Sequence, residues 1–307
     1  MKLATTTADF AAYYPDKSIA APLYGLQGTG FTRADVSFYS VIYPGSPWIA
    51  PGDAWKKEVE DTLAAARELG LSLVQAHSPD GEHFRLGTDM DALNTATLRS
   101  IEACAMLSIP HTVVHAAQLP GAAPAEFVRA NADFYARFES AAEKFGVDLL
   151  AENSAEQNCP GYYLRTGREM REFIGAARLP RLHLCWDIGH ANMRGNDQYR
   201  DILDMGDELR AIHAQDNYGD VDSHVMPMSG TACWDDVLRG LRDIGYQGYF
   251  TFEGGNTLRR SGCWPHFRRS AENGLLADPP VFLQQKQIAV MHDIGRWMLE
   301  SYGLYEE

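Results

Sequence analysis

Four stretches decide how this chain folds: VDLLAEN at Val147–Asn153, LHLCWDIGH at Leu182–His190, LRAIHAQDN at Leu209–Asn217 and GYFTFEGG at Gly248–Gly255. Each is a short apolar run that ends in an ionisable side chain: Glu152, Asp187, His213 and Glu253 in turn. After each, the pattern gives way to a longer helical stretch or loop. Alternation of strand and helix argues for a parallel sheet.

Worked outward, the same unit recurs along the whole chain. Strands are expected at Lys2–Thr7, Asp35–Val41, Ser72–His77 and Thr112–His115, followed by Asp148–Glu152, Leu182–Asp187, Arg210–Ala214 and Gly248–Glu253. Between them lie apolar stripes with the 3.6-residue helical rhythm. Trp55, Val59, Leu63, Ala66 and Leu69 form one and Gly70 stops it; Phe134, Phe138, Ala141 and Phe145 form another, stopped by Gly146. Val237, Leu241 and Ile244 precede Gly245. A Gly just past the last turn is the usual left-handed helix stop. Eight strands in 307 residues predict an α/β fold, a single (β/α)8 TIM barrel spanning 1–307. The segment Asp9–Gly28 reads largely as loop. Asn256–Pro280 reads as a long ordered loop, a lid over the barrel mouth, before a last helix at Val281–Tyr302.

Composition narrows the class. The chain is 45% hydrophobic and 22% charged, as ordinary globular proteins are. Its 41 acidic and 27 basic residues leave a formal net charge of −14. A surface that neutralises nucleic-acid phosphates needs clustered basic residues, and none form a run here. Five scattered cysteines with no CxxC pair read as reduced thiols. The opening MKLATTTADF lacks the apolar core of a signal peptide, and no apolar stretch approaches a membrane span. The expectation is a cytoplasmic protein without membrane contact.

In a barrel of this kind the chemistry sits at the C-terminal ends of the strands. Strands three to eight end in His77, His115, Glu152, Asp187, His213 and Glu253. One such residue is ordinarily a hydrogen-bonded structural group. Six, aimed at one small volume, would leave buried charges repelling one another or unpaired. A divalent cation removes that penalty, and mixed oxygen and nitrogen donors suit Mn, Co, Zn, Fe or Mg. Cys185 shares the parity of Asp187 and reads as small-residue packing inside the barrel; His183 reads as core.

At these residues the sequence resembles the xylose isomerase-like TIM-barrel superfamily, and within it the sugar phosphate isomerase/epimerase group. The motifs that carry the resemblance are AEN at Ala151–Asn153, WDIGHAN at Trp186–Asn192, IHAQDN at Ile212–Asn217, DSH at Asp222–His224 with PMSG after it, and the GYFTFEGG end. The resemblance implies one divalent metal ion on Glu152, Asp187, His213 and Glu253. It implies that Glu152 and Glu253 also act as acid and base on a carbohydrate, removing a proton beside a polarised carbonyl and returning it through a cis-enediolate. His190 falls on a substrate-contacting position, or on one that orients Asp187. His77, His115, Asp222 and His224 are expected to touch substrate. Relatives often pair, so a homodimer or homotetramer is also implied.

Two other activities fit the same residues. Dehydratases and lyases of this superfamily, acting on keto-sugars, inososes or C-glycosides, begin with the same proton abstraction. Apurinic-site endonucleases of the endonuclease IV type share the barrel and hold three zinc ions. Their further ligands would fall on His77, His115, His190, Asp222 and His224, all of a suitable type, and the acidic charge is what weighs against DNA. A non-enzymatic binding role is the bland alternative. Trp186 reads as packing between strand and helix, with a sugar-binding wall as the other reading. Arg194, Arg259, Arg260, Arg268 and Arg269 are candidate phosphate contacts or plain surface residues. There is no Gly-rich phosphate loop, so free and phosphorylated sugars stay equally open.

Overall fold

The computed structural model describes residues 1–80, 89–258 and 279–307. Eight parallel strands close into a barrel in chain order: β1 (Leu3–Thr6), β2 (Arg33–Ser37), β3 (Ser72–His77), β4 (His111–Val113), β5 (Asp148–Glu152), β6 (Leu182–Asp187), β7 (Leu209–Ala214) and β8 (Phe250–Phe252), with β8 returning to pair with β1 through Leu3 and Phe250. Around it run α1 (Ala8–Ala11), α2 (Trp55–Leu69), α3 (Met90–Met106), α4 (Pro124–Phe145), α5 (Gly167–Ala177), α6 (Ile188–Arg194), α7 (Gln198–Met205), α8 (Trp234–Asp243) and α9 (Val281–Ser301). The eight-strand barrel expected from the sequence is what forms. The segment after β1 has only the one-turn α1 and a 3-10 turn at Ala21–Leu26, as its scattered Gly and Pro foretold. Gly70 and Gly146 close α2 and α4 at φ of 67° each. That left-handed conformation is open to Gly at no steric cost.

Alternation of side chains along each strand builds the site. Val113, Leu150, Cys185 and Ala211 form a small buried apolar cluster of their own inside the barrel. Two residues further along the same strands stand His115, Glu152, Asp187 and His213. The period of two therefore sets the chemical groups one layer above a dry floor. Cys185 belongs to that floor, and burial first, against a neighbouring His213, pushes its thiol up to about 12. The larger core lies outside the barrel, between strands and helices. Trp186 is fully buried in it, its indole N–H donating to Gln198 Oε1 at 3.3 Å, so the packing reading holds and the sugar-wall reading does not.

Several strands stop short of the expected range, but their ladders run on. Val114 N–H donates to Leu150 O at 2.9 Å, and Glu253 N–H to Ala214 O at 3.2 Å. Phe38 N–H donates to His77 O at 2.8 Å before β2 turns away at Tyr39. One expectation fails: His183 is not core. It is half-buried at the N-terminal end of β6, where its Nδ1 lies 2.6 Å from Glu208. The expected lid, with Arg259, Arg260, Arg268 and Arg269, lies outside the described residues. Among those described, no helix is long and apolar enough to cross a membrane.

Because β4 is short, α4 holds the chain that follows it. Asn131 is fully buried, accepts from Ala117 N–H at 2.6 Å and donates to Phe127 O at 3.1 Å. Tyr135 donates to Val114 O at 2.5 Å. Asn131→Ala leaves the Ala117 amide unpaired, and urea unfolding is expected to show a loss of about 1–3 kcal/mol. An unchanged unfolding midpoint would show that Asn131 does not carry this segment.

Candidate metal centre and active site

A cavity of about 1020 Å³ opens at the C-terminal ends of the strands. Its wall includes His77, His115, Glu152, His190, Asp222, His224 and Glu253, with Tyr39, Asp80 and Asn158 around them. Asp187 and His213 lie fully buried just beneath. All nine residues singled out from the sequence are thus gathered at one end of the barrel.

Glu152 is the hub. Its Oε1 accepts from His213 Nδ1 at 2.7 Å, and its Oε2 lies 2.8 Å from His115 Nε2 and 3.8 Å from His77 Nε2. Burial works to raise its carboxyl, but the charge of His213 and hydrogen bonds from His115, His213 and His77 hold it well below the usual carboxylate range. His213 is pinned from below: its Nε2 is 2.9 Å from the Gln75 amide, 3.6 Å from Asp35 Oδ2 and 3.6 Å from Glu253 Oε1. Burial alone would lower His213; Cys185, Glu253, Glu152 and Asp35 around it raise it well above the ordinary imidazole value.

Asp187 caps α6 while it faces the site. Its Oδ1 accepts from His190 N–H at 2.6 Å and from the Gln215 amide at 3.2 Å. Its Oδ2 is buried without a hydrogen-bond partner. Burial pushes its carboxyl up to about 6, against the pull of His190 and with the help of Glu152 and Asp222. On the far wall, Asp222 Oδ2 lies 3.0 Å from His190 Nε2, 3.2 Å from His224 Nε2 and 2.6 Å from the Asn158 amide that donates to it. Burial opposes its ionisation, but His224 and His190 hold it well below its normal range.

Among the described residues, the sets of donors that approach within 4.8 Å of one another are Glu152–Asp187–His190, Glu152–Cys185–His213, Asp35–His213–Glu253, His77–His115–Glu152 and His190–Asp222–His224. The expected quartet is therefore covered by overlapping pairs rather than drawn into one knot. This donor set fits a divalent cation. The quartet supplies three carboxylates and one imidazole, mixed O and N, and one of its carboxylate oxygens, Asp187 Oδ2, is buried without a hydrogen-bond partner. His213 would offer Nδ1, with Gln75 and Asp35 fixing its other nitrogen.

Several residues here were not singled out from the sequence. Asn153 clamps β5 to β6, accepting from Asp187 N–H at 2.6 Å and donating to Asp187 O at 2.9 Å. Gln215 spans Asp187 and Asp222, donating to the latter at 2.7 Å. A Cβ at Gly189 would strike the Gln215 amide, which explains a Gly in the first turn of α6. Asp35 and Gln75 were detectable as polar residues at inward positions of otherwise apolar strands. Asp80 was not: it follows β3, accepts from Tyr39 Oη at 2.7 Å and lies 3.6 Å from His115 Nδ1.

The sequence profile of the xylose isomerase-like TIM barrel matches residues 36–269. An uncharacterised protein, MJ1311, of Methanocaldococcus jannaschii is 31% identical over 117 residues, 38% of this chain and 39% of that protein. Fructoselysine 3-epimerase of Escherichia coli O157:H7 is 28% identical over 114 residues, 36% of this chain and 40% of that enzyme. The match therefore spans about two fifths of either relative's length. Among solved structures, D-psicose 3-epimerase of Clostridium cellulolyticum H10 superposes with a TM-score of 0.71 at 17% identity, covering 97% of this chain and 99% of that one. At that identity the likeness speaks for the fold.

Asp187 offers a direct test of the electrostatics. A carboxyl raised from 3.8 to about 6 in the fold costs stability as pH climbs through that window, and above it the cost is fully present. At roughly 1.4 kcal/mol per pH unit this amounts to about 3 kcal/mol. Asp187→Asn keeps the acceptor oxygen for His190 and removes the charge. Without added metal, the variant is expected to melt above the wild type beyond about pH 7 and to lose that advantage near pH 4. A variant that melts lower throughout would mean that the ionised carboxylate stabilises the empty fold.

Proposed function

The chain belongs to the xylose isomerase-like TIM-barrel family, and we propose from that premise that it is a divalent-metal-dependent sugar isomerase or epimerase. Glu152, Asp187, His213 and Glu253 hold the ion in this reading, and Glu152 and Glu253 move the proton. The observation that supports it most is the buried Asp187 Oδ2 with no partner, set beside Glu152 and His190 just beneath a cavity wide enough for a carbohydrate. The names of the relatives, several of them sugar 3-epimerases, support the same class.

A divalent cation bound there would polarise a carbonyl and its neighbouring hydroxyl. The chain's own residues supply the rest. Glu152 is held ionised by three imidazoles, which suits it to take a proton from the carbon next to the carbonyl. Glu253 enters from β8, across His213 from Glu152, with its backbone carbonyl accepting from His224 Nδ1 at 3.0 Å. Two carboxylates reaching one substrate carbon from different strands permit removal on one face and return on the other. His77 and His115 line one wall, His190, Asp222 and His224 the other, and both offer hydrogen bonds to sugar hydroxyls. β-Elimination from the same carbanion would need only a leaving group on the next carbon, so the lyase reading shares these residues.

A second reading has its own observation. The triads His77–His115–Glu152 and His190–Asp222–His224 flank the centre and share or adjoin its donors, as three-zinc phosphodiester cleavage would need. Against it, Lys17 is the sole Lys or Arg among the described residues that line the cavity, and the chain carries −14 net charge. DNA phosphates would find little to bind.

Glu152→Gln and Glu253→Gln should each abolish solvent deuterium exchange into a ketose that the wild type turns over, with turnover down about 10²–10⁴-fold. Wild-type exchange in both variants would sink the two-glutamate scheme. Elemental analysis of the purified protein should find one tightly held divalent ion per chain. Three zinc ions, together with cleavage of a duplex bearing an abasic site, would transfer the assignment to the endonuclease reading.

A further inference from the structure

The histidines and their paired carboxylates reach the cavity from β3 to β8 and the loops that follow those strands. The β1–β2 side of the same cavity is built differently. There Ala12, Tyr14, Ile19, Pro22 and Val41 line it, with Lys17 among them. Ile19, Pro22 and Val41 are buried into the rim. Asp9 also lines this side, but its Oδ1 accepts from Gly255 N–H at 3.2 Å.

Tyr14 and Lys17 bracket one turn, in which Lys17 N–H donates to Tyr14 O at 3.3 Å. Lys17 stands at φ 58°, a left-handed conformation that residues with a Cβ seldom adopt. Its Nζ lies 5.1 Å over the ring of Tyr43, from the stretch after β2. Among the described residues, neither Lys17 Nζ nor Tyr14 Oη has a carboxylate or hydrogen-bond partner. Burial raises the Tyr14 phenol above its ordinary value, so the hydroxyl stays protonated and able to donate.

We propose that the substrate is a sugar conjugate, which rests on the carbohydrate reading of the mouth. The sugar half meets the acids and histidines. The other half is an apolar aglycone that lies along Ala12, Ile19, Pro22 and Val41 and ends in a carboxylate between Lys17 and Tyr14. A cavity of about 1020 Å³ is at the top of the range, about 300–1,000 Å³, that holds drug-sized ligands. A lone sugar over Glu152 leaves the β1–β2 side wet, whereas an aglycone removes water from its apolar walls. One ammonium and one phenol match a single negative charge. A phosphate monoester would bring nearly two charges and three acceptor oxygens, and no second Lys or Arg lines the cavity among the described residues. The Tyr43 ring steadies the ammonium through its face and leaves the N–H groups free for the ligand.

Titration calorimetry of the full chain with methyl, phenyl and para-carboxyphenyl glucoside tests this. The three share one sugar, so their ranking reports the aglycone alone. The phenyl compound should bind about 10-fold more tightly than the methyl one, and the carboxyl should add about 3–5-fold. Lys17→Met should erase the carboxyl's advantage and leave the phenyl compound unchanged. Ala12→Trp should weaken both aryl compounds and spare the methyl one, with the melting temperature of each variant held near the wild type. Equal affinity for the three compounds overturns the proposal. So does a carboxyl advantage that survives Lys17→Met. Binding is read without turnover, so the two readings fail separately. If the ranking holds while Glu152→Gln and Glu253→Gln both keep deuterium exchange, the proton-transfer scheme falls and the aglycone site stands.

Discussion

Glu152 is the point on which the site turns. It is a carboxylate at 2% exposure, and among the described residues it takes part in three of the five convergent donor groups. Such a burial is affordable only when the charge is met by hydrogen-bond donors or cations. Here three imidazoles meet it, from β3, β7 and the end of β4. Those imidazoles are in turn held by Asp80, Asp35 and Glu253, so the mouth is one alternating array of acids and histidines. Two members are left over, Asp35, whose Oδ1 is buried without a partner, and Asp187. One of its oxygens has no partner, and burial resists its ionisation. That imbalance is the physical argument for a cation at this place.

The array keeps its shape because neutral amides brace it. Asn153 ties the two strands that deliver Glu152 and Asp187; Gln215 ties Asp187 to Asp222; Gln75 ties His213 to Asp35; Asn158 holds Asp222 from the loop after β5. Amides suit this task, since they donate and accept without adding charge to a site already crowded with it. The floor of Val113, Leu150, Cys185 and Ala211 keeps the barrel interior dry beneath them. The electrostatics above are therefore those of a low-dielectric pocket, where each contact counts for more than at the surface.

Two faces of the molecule thus follow from different rules. The mouth concentrates charge and depends on exact pairing, which suits the proton transfer proposed for it. The outer face of α9 leaves apolar side chains in solvent with charges alongside. α9 packs its buried side on β1 and the Phe252 ring, and its Gln287 and Gln284 amides donate to Gly254 O and Gly255 O, just past Glu253.

The alternation of apolar runs with helical stripes was enough to specify eight strands, because strand and helix periods are local properties of the chain. It was also enough to find the strand-end residues, since the residue that ends an inward-facing parity must point into the mouth. Helix stops at Gly70 and Gly146 were legible for the same local reason. What the sequence could not decide was partnership. His183 looked like a core residue from its depth in the strand, but it stands at the far end of that strand, where Glu208 can reach it. Asp80 lies in no motif and acquires its role only because Tyr39 and His115 are folded against it. That Glu152 serves several donor groups at once, and that one Asp187 oxygen is left with none, depends on distances across the barrel. Those are set by closure of eight strands, a long-range event that no local pattern records.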